Sequence, residues 1–124
     1  MIAFVEATVL TIGLNGKSDA LKNLPINVLK MQSGFEAARS LKNTKIDSVI
    51  CKWDLDDMKG GEFLRRLKMV KPNIPTIALI RAGDIAQEIQ ARSIGVSAVL
   101  TEETDDSLFT EMVANILSLN VNVE

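Results

Sequence analysis

The alternation of apolar and polar positions along the chain predicts short buried strands separated by helices. Apolar runs rich in β-branched residues predict five strands, over 7–12, 26–31, 47–53, 76–80 and 97–100. Segments with helical periodicity predict helices over 18–23, 33–42, 60–71, 84–94 and 104–119. Each predicted strand is therefore followed by one predicted helix.

Capping and stop residues support the predicted helix boundaries. Ser33 and Glu36 have the spacing of a capping box at the start of the second helix. Gly95 is placed to end the fourth helix, and Thr104 or Asp105 to cap the fifth. Because a proline soon follows the first helix, we expect that helix to be shortened to about two turns.

This order of elements predicts the fold class. Strands that alternate with helices and are themselves fully apolar indicate a parallel sheet covered on both faces. Five such units fit the flavodoxin-like (βα)5 doubly wound α/β fold, with strand order 2-1-3-4-5 and a shortened first helix. Residues 1–124 are expected to form a single domain, with functional groups at the carboxyl ends of the strands.

Composition narrows the classes of function. The net charge is −2, which argues against a nucleic-acid binder that works by neutralising phosphates. The chain has no histidine and one cysteine, Cys51, so histidine-based catalysis, a cysteine zinc cluster and an internal disulfide are excluded. No apolar run is long enough to cross a membrane, and we expect the first residues not to form a signal peptide. We expect a cytoplasmic protein without metal, cofactor or enzymatic activity.

One motif predicts nucleotide or phosphate binding. Residues 11–18, TIGLNGKS, nearly match the phosphate-binding loop G-x-x-x-x-G-K-[ST]. The match fails at Thr11, where the loop needs glycine, and the helix behind it is short for a phosphate site. A turn with a helix cap at Ser18 explains the same residues. Nucleotide or phosphate binding by Gly13–Ser18 remains the alternative hypothesis.

A second sequence pattern is more specific than the phosphate-loop motif. Residues 47–62, DSVICKWDLDDMKGGE, resemble the third strand and following loop of response-regulator receiver domains. A tryptophan directly after the acceptor position, as at Trp53, resembles the chemotaxis members of that family. Residues 74–80 and 91–101 resemble the fourth strand and the A-x-x-x-G-A-x-x-Y-L-x-K-P stretch of that family. The resemblance covers residues 7–119. It implies a receiver fold and a role in two-component signalling.

The resemblance also implies five chemical side chains that this sequence lacks. Receiver domains use a phosphorylated Asp, two acidic residues that hold Mg²⁺, a Ser or Thr, and a Lys. Lys52 stands at the acceptor position, and the acidic pair falls on the turn Ile12-Gly13-Leu14, which has no carboxylate. Ile80 replaces the hydroxyl residue and Glu102 replaces the lysine. The resemblance therefore predicts a degenerate phosphorylation pocket, with Asp54 beside it.

Two groups of charged side chains around this pocket lead to structural hypotheses. Lys52 and Glu102 reverse the signs of the family's carboxylate and lysine, so we predict that they form an ion pair that locks the pocket. Asp54, Asp56 and Asp57 follow the third strand closely. These three carboxylates fit either a cation site or a solvated turn, and both interpretations stay open.

The last predicted helix carries an apolar arc of about 180°, wider than the roughly 100° needed to pack on one sheet face. Part of this arc is expected either to contact a protein partner or to be buried at the end of the fold. The candidate interface residues, with the strand-five position where the family has its aromatic switch, are Leu108, Met112, Val113, Leu117 and Val99.

These observations predict a non-phosphorylatable receiver-like domain that acts as a protein-interaction module. The partner is expected to be a signalling protein, or a second copy bound through the fourth helix, fifth strand and fifth helix, as the family resemblance implies. The sequence offers no nucleophile paired with a base for catalysis.

Overall fold

The computed structural model describes residues 7–58 and 61–117, and within these it contains five strands, one 3₁₀ helix and four α-helices. The strands are β1 (Ala7–Ile12), β2 (Ile26–Met31), β3 (Ser48–Lys52), β4 (Thr76–Ile80) and β5 (Ala98–Thr101). The α-helices are α1 (Gly34–Asn43), α2 (Glu62–Val70), α3 (Ile85–Ile94) and α4 (Asp106–Ile116). The first predicted helix is a 3₁₀ helix over Asn15–Leu21.

All neighbouring strands are parallel, and their order is β2-β1-β3-β4-β5. The predicted flavodoxin-like arrangement is thus confirmed. The predicted β3 was one residue too long at each end, and β5 runs one residue later than predicted. Gly60 and the predicted helix end near Leu119 lie outside the described residues.

The strands bury alternate residues on the two faces of the sheet, as their period of two requires. Leu10, Val49 and Ala78 pack with α1, α2 and α3. Val9, Ile50 and other apolar residues of the opposite face pack with the 3₁₀ helix and α4. Three helices therefore cover one face, whereas the 3₁₀ helix and α4 share the other.

Local hydrogen bonds explain where the helices begin and end. Ser33 Oγ accepts from the backbone N–H of Glu36, but the Glu36 carboxylate accepts from Gln32 rather than from Ser33. Asp105 caps α4, and Gly95 ends α3 at a φ of 92°, where glycine carries little strain. No helix among the described residues is long and apolar enough to cross a membrane.

Candidate functional site

The carboxyl ends of the strands meet at one edge of the sheet. Lys52 at the end of β3 is in register with Leu79 of β4, and β5 ends at Thr101, just before Glu102. Gly13 follows the last residue of β1. A cavity of about 120 Å³ at this edge is lined by Gly13, Leu14, Asn15, Lys17, Lys52, Leu79 and Glu102.

Lys52 and Glu102 face each other across this cavity. The Lys52 Nζ atom lies 3.8 Å from the Glu102 Oε1 atom, within ion-pair range but longer than a direct hydrogen bond. The side chains are 35% and 37% exposed, so water screens the pair in part. The backbone N–H of Glu102 donates to the Ile80 carbonyl and so ties the end of β5 to the end of β4.

Gly13 forms the floor of the site next to Lys52. Its φ is +72°, a conformation that side chains other than glycine rarely adopt. A Cβ atom built there would lie 2.9 Å from Leu55 Cδ2 and 3.5 Å from Lys52 Cβ. Backbone geometry and the packing of Leu55 therefore both oppose a side chain at this position.

Three of the proposed pocket positions, Ile12, Ile80 and Asp54, do not line the cavity. Ile12 is fully buried and Ile80 is 2% exposed, and both belong to the core cluster beneath α1, α2 and α3. Cys51 lies in the same cluster, where burial and, to a smaller extent, the charge of Asp57 raise the pKa of its thiol above the usual range. A thiol in this state is unreactive.

The carboxylates after β3 contact different partners. Asp57 accepts hydrogen bonds from the backbone N–H groups of Gly34 and Phe35, both at 3.0 Å, at the start of α1. These bonds, first from Gly34 and then from Phe35, lower the pKa of Asp57 below its ordinary value. Asp54 accepts from the side-chain amide of Gln87. Within residues 7–58 and 61–117, no three His, Cys, Asp or Glu residues are grouped to hold a metal ion.

In the loop that resembles a phosphate-binding motif, the side chains make contacts within the protein itself. Lys17 Nζ donates to the Thr104 carbonyl, lies 3.2 Å from Asp106 Oδ1 and is 5.1 Å from the centre of the Phe109 ring. Ser18 Oγ donates to the Asn15 carbonyl at 2.9 Å and is buried. The side chains that would bind phosphate and Mg²⁺ in such a loop are therefore directed elsewhere. This geometry gives the nucleotide-binding hypothesis no support.

The apolar arc on α4 is mainly part of the core. Val113 is fully buried, so for this side chain the structure favours burial over the interface that the sequence also left open. Val99, Met112 and Leu117 are partly buried against the core, whereas Leu108 is 48% exposed. The arc is wide because α4 packs against the 3₁₀ helix as well as the sheet, and Thr110 Oγ1 donates to the Ala20 carbonyl between them.

Two features of the site were not predicted from the sequence. Leu55 packs over Gly13, and Lys17 bridges to residues that follow β5, 87 positions further along the chain. No local pattern signals contacts at such separations. Asp57 offered a weak signal, since a carboxylate stabilises a helix N-terminus, but its helix precedes it by more than twenty residues.

Comparisons with known proteins give a family and two relatives for this chain. The family described as "Response regulator receiver domain" matches residues 13–114. The chain is 33% identical over 84 residues to the transcriptional regulatory protein GlrR of Escherichia coli K12, and equally to QseF of Escherichia coli O157:H7. These 84 residues are 67% of this chain but only 19% of each relative, so the chain matches a small part of both.

Solved structures share the fold. A CheY-like receiver domain from Methanospirillum hungatei gives a TM-score of 0.80 at 15% identity, over 90% of this chain and 94% of that one. A receiver domain from Clostridium thermocellum gives 0.78 at 24% identity, over 90% and 94% respectively. The solved structures and the strand order agree on the fold. The family match over residues 13–114 shows that the chain belongs to the response regulator receiver domain family.

Proposed function

We propose that this receiver domain does not accept a phosphoryl group and acts as a protein-interaction module in a two-component pathway. The observation that carries the proposal is the Lys52–Glu102 pair at the carboxyl edge of the sheet. The family resemblance expects a carboxylate where Lys52 stands and a lysine where Glu102 stands. An ammonium cannot form the acyl phosphate that a receiver carboxylate forms.

The residues present also do not fit the Mg²⁺ ion that the family uses. Magnesium prefers several oxygen ligands, including carboxylates. Gly13 provides no side chain, and its φ of +72° and the contact with Leu55 oppose one. The Lys52 ammonium points into the same cavity and would repel a divalent cation.

The Lys52–Glu102 pair supplies a charge arrangement that needs no ligand. A cation and an anion remain opposite each other, as in the family pattern, but with their positions exchanged. We propose that the pair keeps the old pocket in one state. The domain would then present a constant surface rather than one that phosphorylation changes.

Exposed apolar residues support the interaction role. Ile85 and Ile89 on α3 are 71% and 62% exposed, and Leu108 on α4 is also exposed. α3 and α4 flank β5 in the chain, so these residues support the proposed homodimer through α3, β5 and α4. The net charge of −2 favours a protein partner over nucleic acid.

Incubation with acetyl phosphate and Mg²⁺, or with beryllofluoride, tests the proposal. We expect no phosphoryl adduct by intact-mass analysis and no change in fluorescence of Trp53, the chain's one tryptophan, which follows Lys52. A receiver with the full set of pocket residues serves as the positive control. A stable adduct, on Asp54 or Asp56 for example, would contradict the proposal.

A Lys52→Asp variant sharpens this experiment. If the acceptor were all that is missing, the new carboxylate would be phosphorylated in the presence of Mg²⁺. We expect the variant to remain unmodified, because Gly13 supplies no metal ligand and Ile80 no hydroxyl. Phosphorylation of this variant would show that the rest of the pocket is still competent.

A further inference from the structure

An apolar groove lies between α1 and α2, away from the carboxyl edge of the sheet and from the α3–β5–α4 face. Its volume is about 300 Å³. α2 lines one side with residues spaced by three and four positions, as one face of a helix requires. The groove is lined by Ala38, Leu41, Lys42, Met58, Phe63, Arg66, Leu67, Val70 and Lys71.

Contacts at the start of α1 hold the walls of the groove in place. The Asp57 carboxylate binds the N-terminus of α1 through Gly34 and Phe35. Met58 packs directly over Gly34, where an added Cβ would lie 2.4 Å from the Met58 sulfur. The loop after β3 is thereby fastened to α1 before any ligand binds. A groove that is already formed lowers the entropic cost of docking.

The groove keeps exposed apolar surface at one end. Val70 is 75% exposed although it lines the groove, and Leu41 and Met58 are only partly buried. Phe63 and Leu67 form the buried floor. Apolar surface of this kind, surrounded by polar side chains, is typical of a docking site.

The rim of the groove carries only positive charge. Lys42, Arg66 and Lys71 line it, and no acidic side chain does among the residues the structure describes. Arg66 is already paired with Glu62 at 2.8 Å. Lys42 and Lys71 have no carboxylate within 4.0 Å in the described part of the chain. This local basic charge stands out in a chain whose net charge is −2.

We propose that this groove docks an acidic amphipathic helix of a partner protein. Apolar side chains spaced by three or four residues along that helix would contact Phe63, Leu67 and Val70, as in other helix-in-groove complexes. Carboxylates beside them would pair with Lys42 and Lys71 and speed association. The surface is separate from the proposed homodimer face, and its use does not depend on whether the domain is phosphorylated.

A labelled synthetic peptide tests the proposal on the full chain. The probe is an acidic helical peptide with leucines at positions i, i+4 and i+7 and glutamates between them. A peptide of the same composition, with its leucines dispersed around the helix, is the control. We expect micromolar binding of the first peptide and at least about tenfold weaker binding of the second. Equal binding, or no binding of either peptide, would overturn the proposal.

Matched variants locate the binding surface. Val70→Asp is expected to weaken binding at least about tenfold, whereas Met69→Asp, on a neighbouring side chain that is 80% exposed and outside the groove lining, changes it less than about twofold. Lys42→Glu with Lys71→Glu should also weaken binding. The control with the same charge change is Lys22→Glu with Arg81→Glu, at exposed sites elsewhere.

Three further results would count against the proposal. An unchanged affinity in both groove variants would place the peptide elsewhere. Equal losses in the groove variants and their controls would indicate a general charge effect. Self-association of the unliganded chain that Val70→Asp abolishes would make a second copy the occupant. Circular dichroism checks the fold of each variant, and the charge-reversal pair keeps the test valid if Val70→Asp fails to fold.

Discussion

At the scale of single residues, the exposure of Lys52 and Glu102 determines what their pairing contributes. Both side chains keep about a third of their surface in water, at 35% and 37%. Pairs with this degree of exposure contribute about 0–1 kcal/mol, because solvent screens the charges and the side chains lose freedom. The pair is therefore better suited to setting the charge of the pocket than to stabilising the fold.

A double-mutant cycle on Lys52→Ala and Glu102→Ala measures this coupling. We expect a coupling of about 0.2–1 kcal/mol in urea unfolding at low salt. It should shrink towards zero in about 1 M salt, where the Debye length is about 3 Å. A coupling of zero at low salt would mean that the two residues do not act as a pair. A coupling above about 2 kcal/mol that salt leaves unchanged would indicate a closed, dry pocket.

At the scale of elements, Asp57 joins the loop after β3 to the start of α1. Its carboxylate accepts from two backbone N–H groups that the helix itself leaves without partners. These bonds favour the charged form and lower the pKa of Asp57 in the folded chain. The unfolded chain binds that proton more readily, so this contribution to stability is present above the ordinary pKa of 3.8 and is lost as pH falls through the folded value.

Replacing Asp57 should reproduce that pH dependence. Asp57→Ala is expected to lower the free energy of unfolding at pH 7, and the deficit relative to the unsubstituted chain should diminish below pH 3.8. Asp56→Ala removes an exposed carboxylate from the same loop and serves as the control. Urea unfolding at several pH values measures both. Equal effects of the two substitutions would show that the bonds to Gly34 and Phe35 do not stabilise the fold.

At the scale of the whole molecule, packing decides which apolar surfaces remain free to bind. Helices cover both faces of the sheet, and α4 packs against the 3₁₀ helix as well as against the sheet. Among residues 7–58 and 61–117, the large apolar side chains that stay exposed lie on α3, at Leu108 of α4, at Phe35 of α1 and at the end of α2. The first two belong to the proposed homodimer face, and the last borders the groove between α1 and α2.

Two substitutions on α4 separate core from surface. Val113→Asp buries a charge without a partner and is expected to destabilise the domain by about 4 kcal/mol or more. Leu108→Asp, at an exposed position, should change stability by no more than about 0.5 kcal/mol and weaken any homodimer. Thermal unfolding and sedimentation velocity measure the two effects. A folded Val113→Asp variant, or a dimer unaffected by Leu108→Asp, would contradict these assignments.

Much of the architecture could be predicted from the sequence, because it depends on neighbours along the chain. The strands β1, β2 and β4 have the predicted bounds, since β-branched apolar runs flanked by turn residues are local signals. The strand order followed from the regular alternation of strands and helices, and the matches to the receiver family agree with it.

The tertiary structure alone decided which side chains are accessible and what they contact. Val113 and Leu108 both belong to one apolar arc, yet the 3₁₀ helix and the sheet bury the first and leave the second exposed. Lys17 lies in a loop that resembles a phosphate site, but Thr104 and Asp106 hold its ammonium. Burial and pairing of this kind depend on elements that are distant in sequence and meet only when the chain packs, so no local periodicity predicts them.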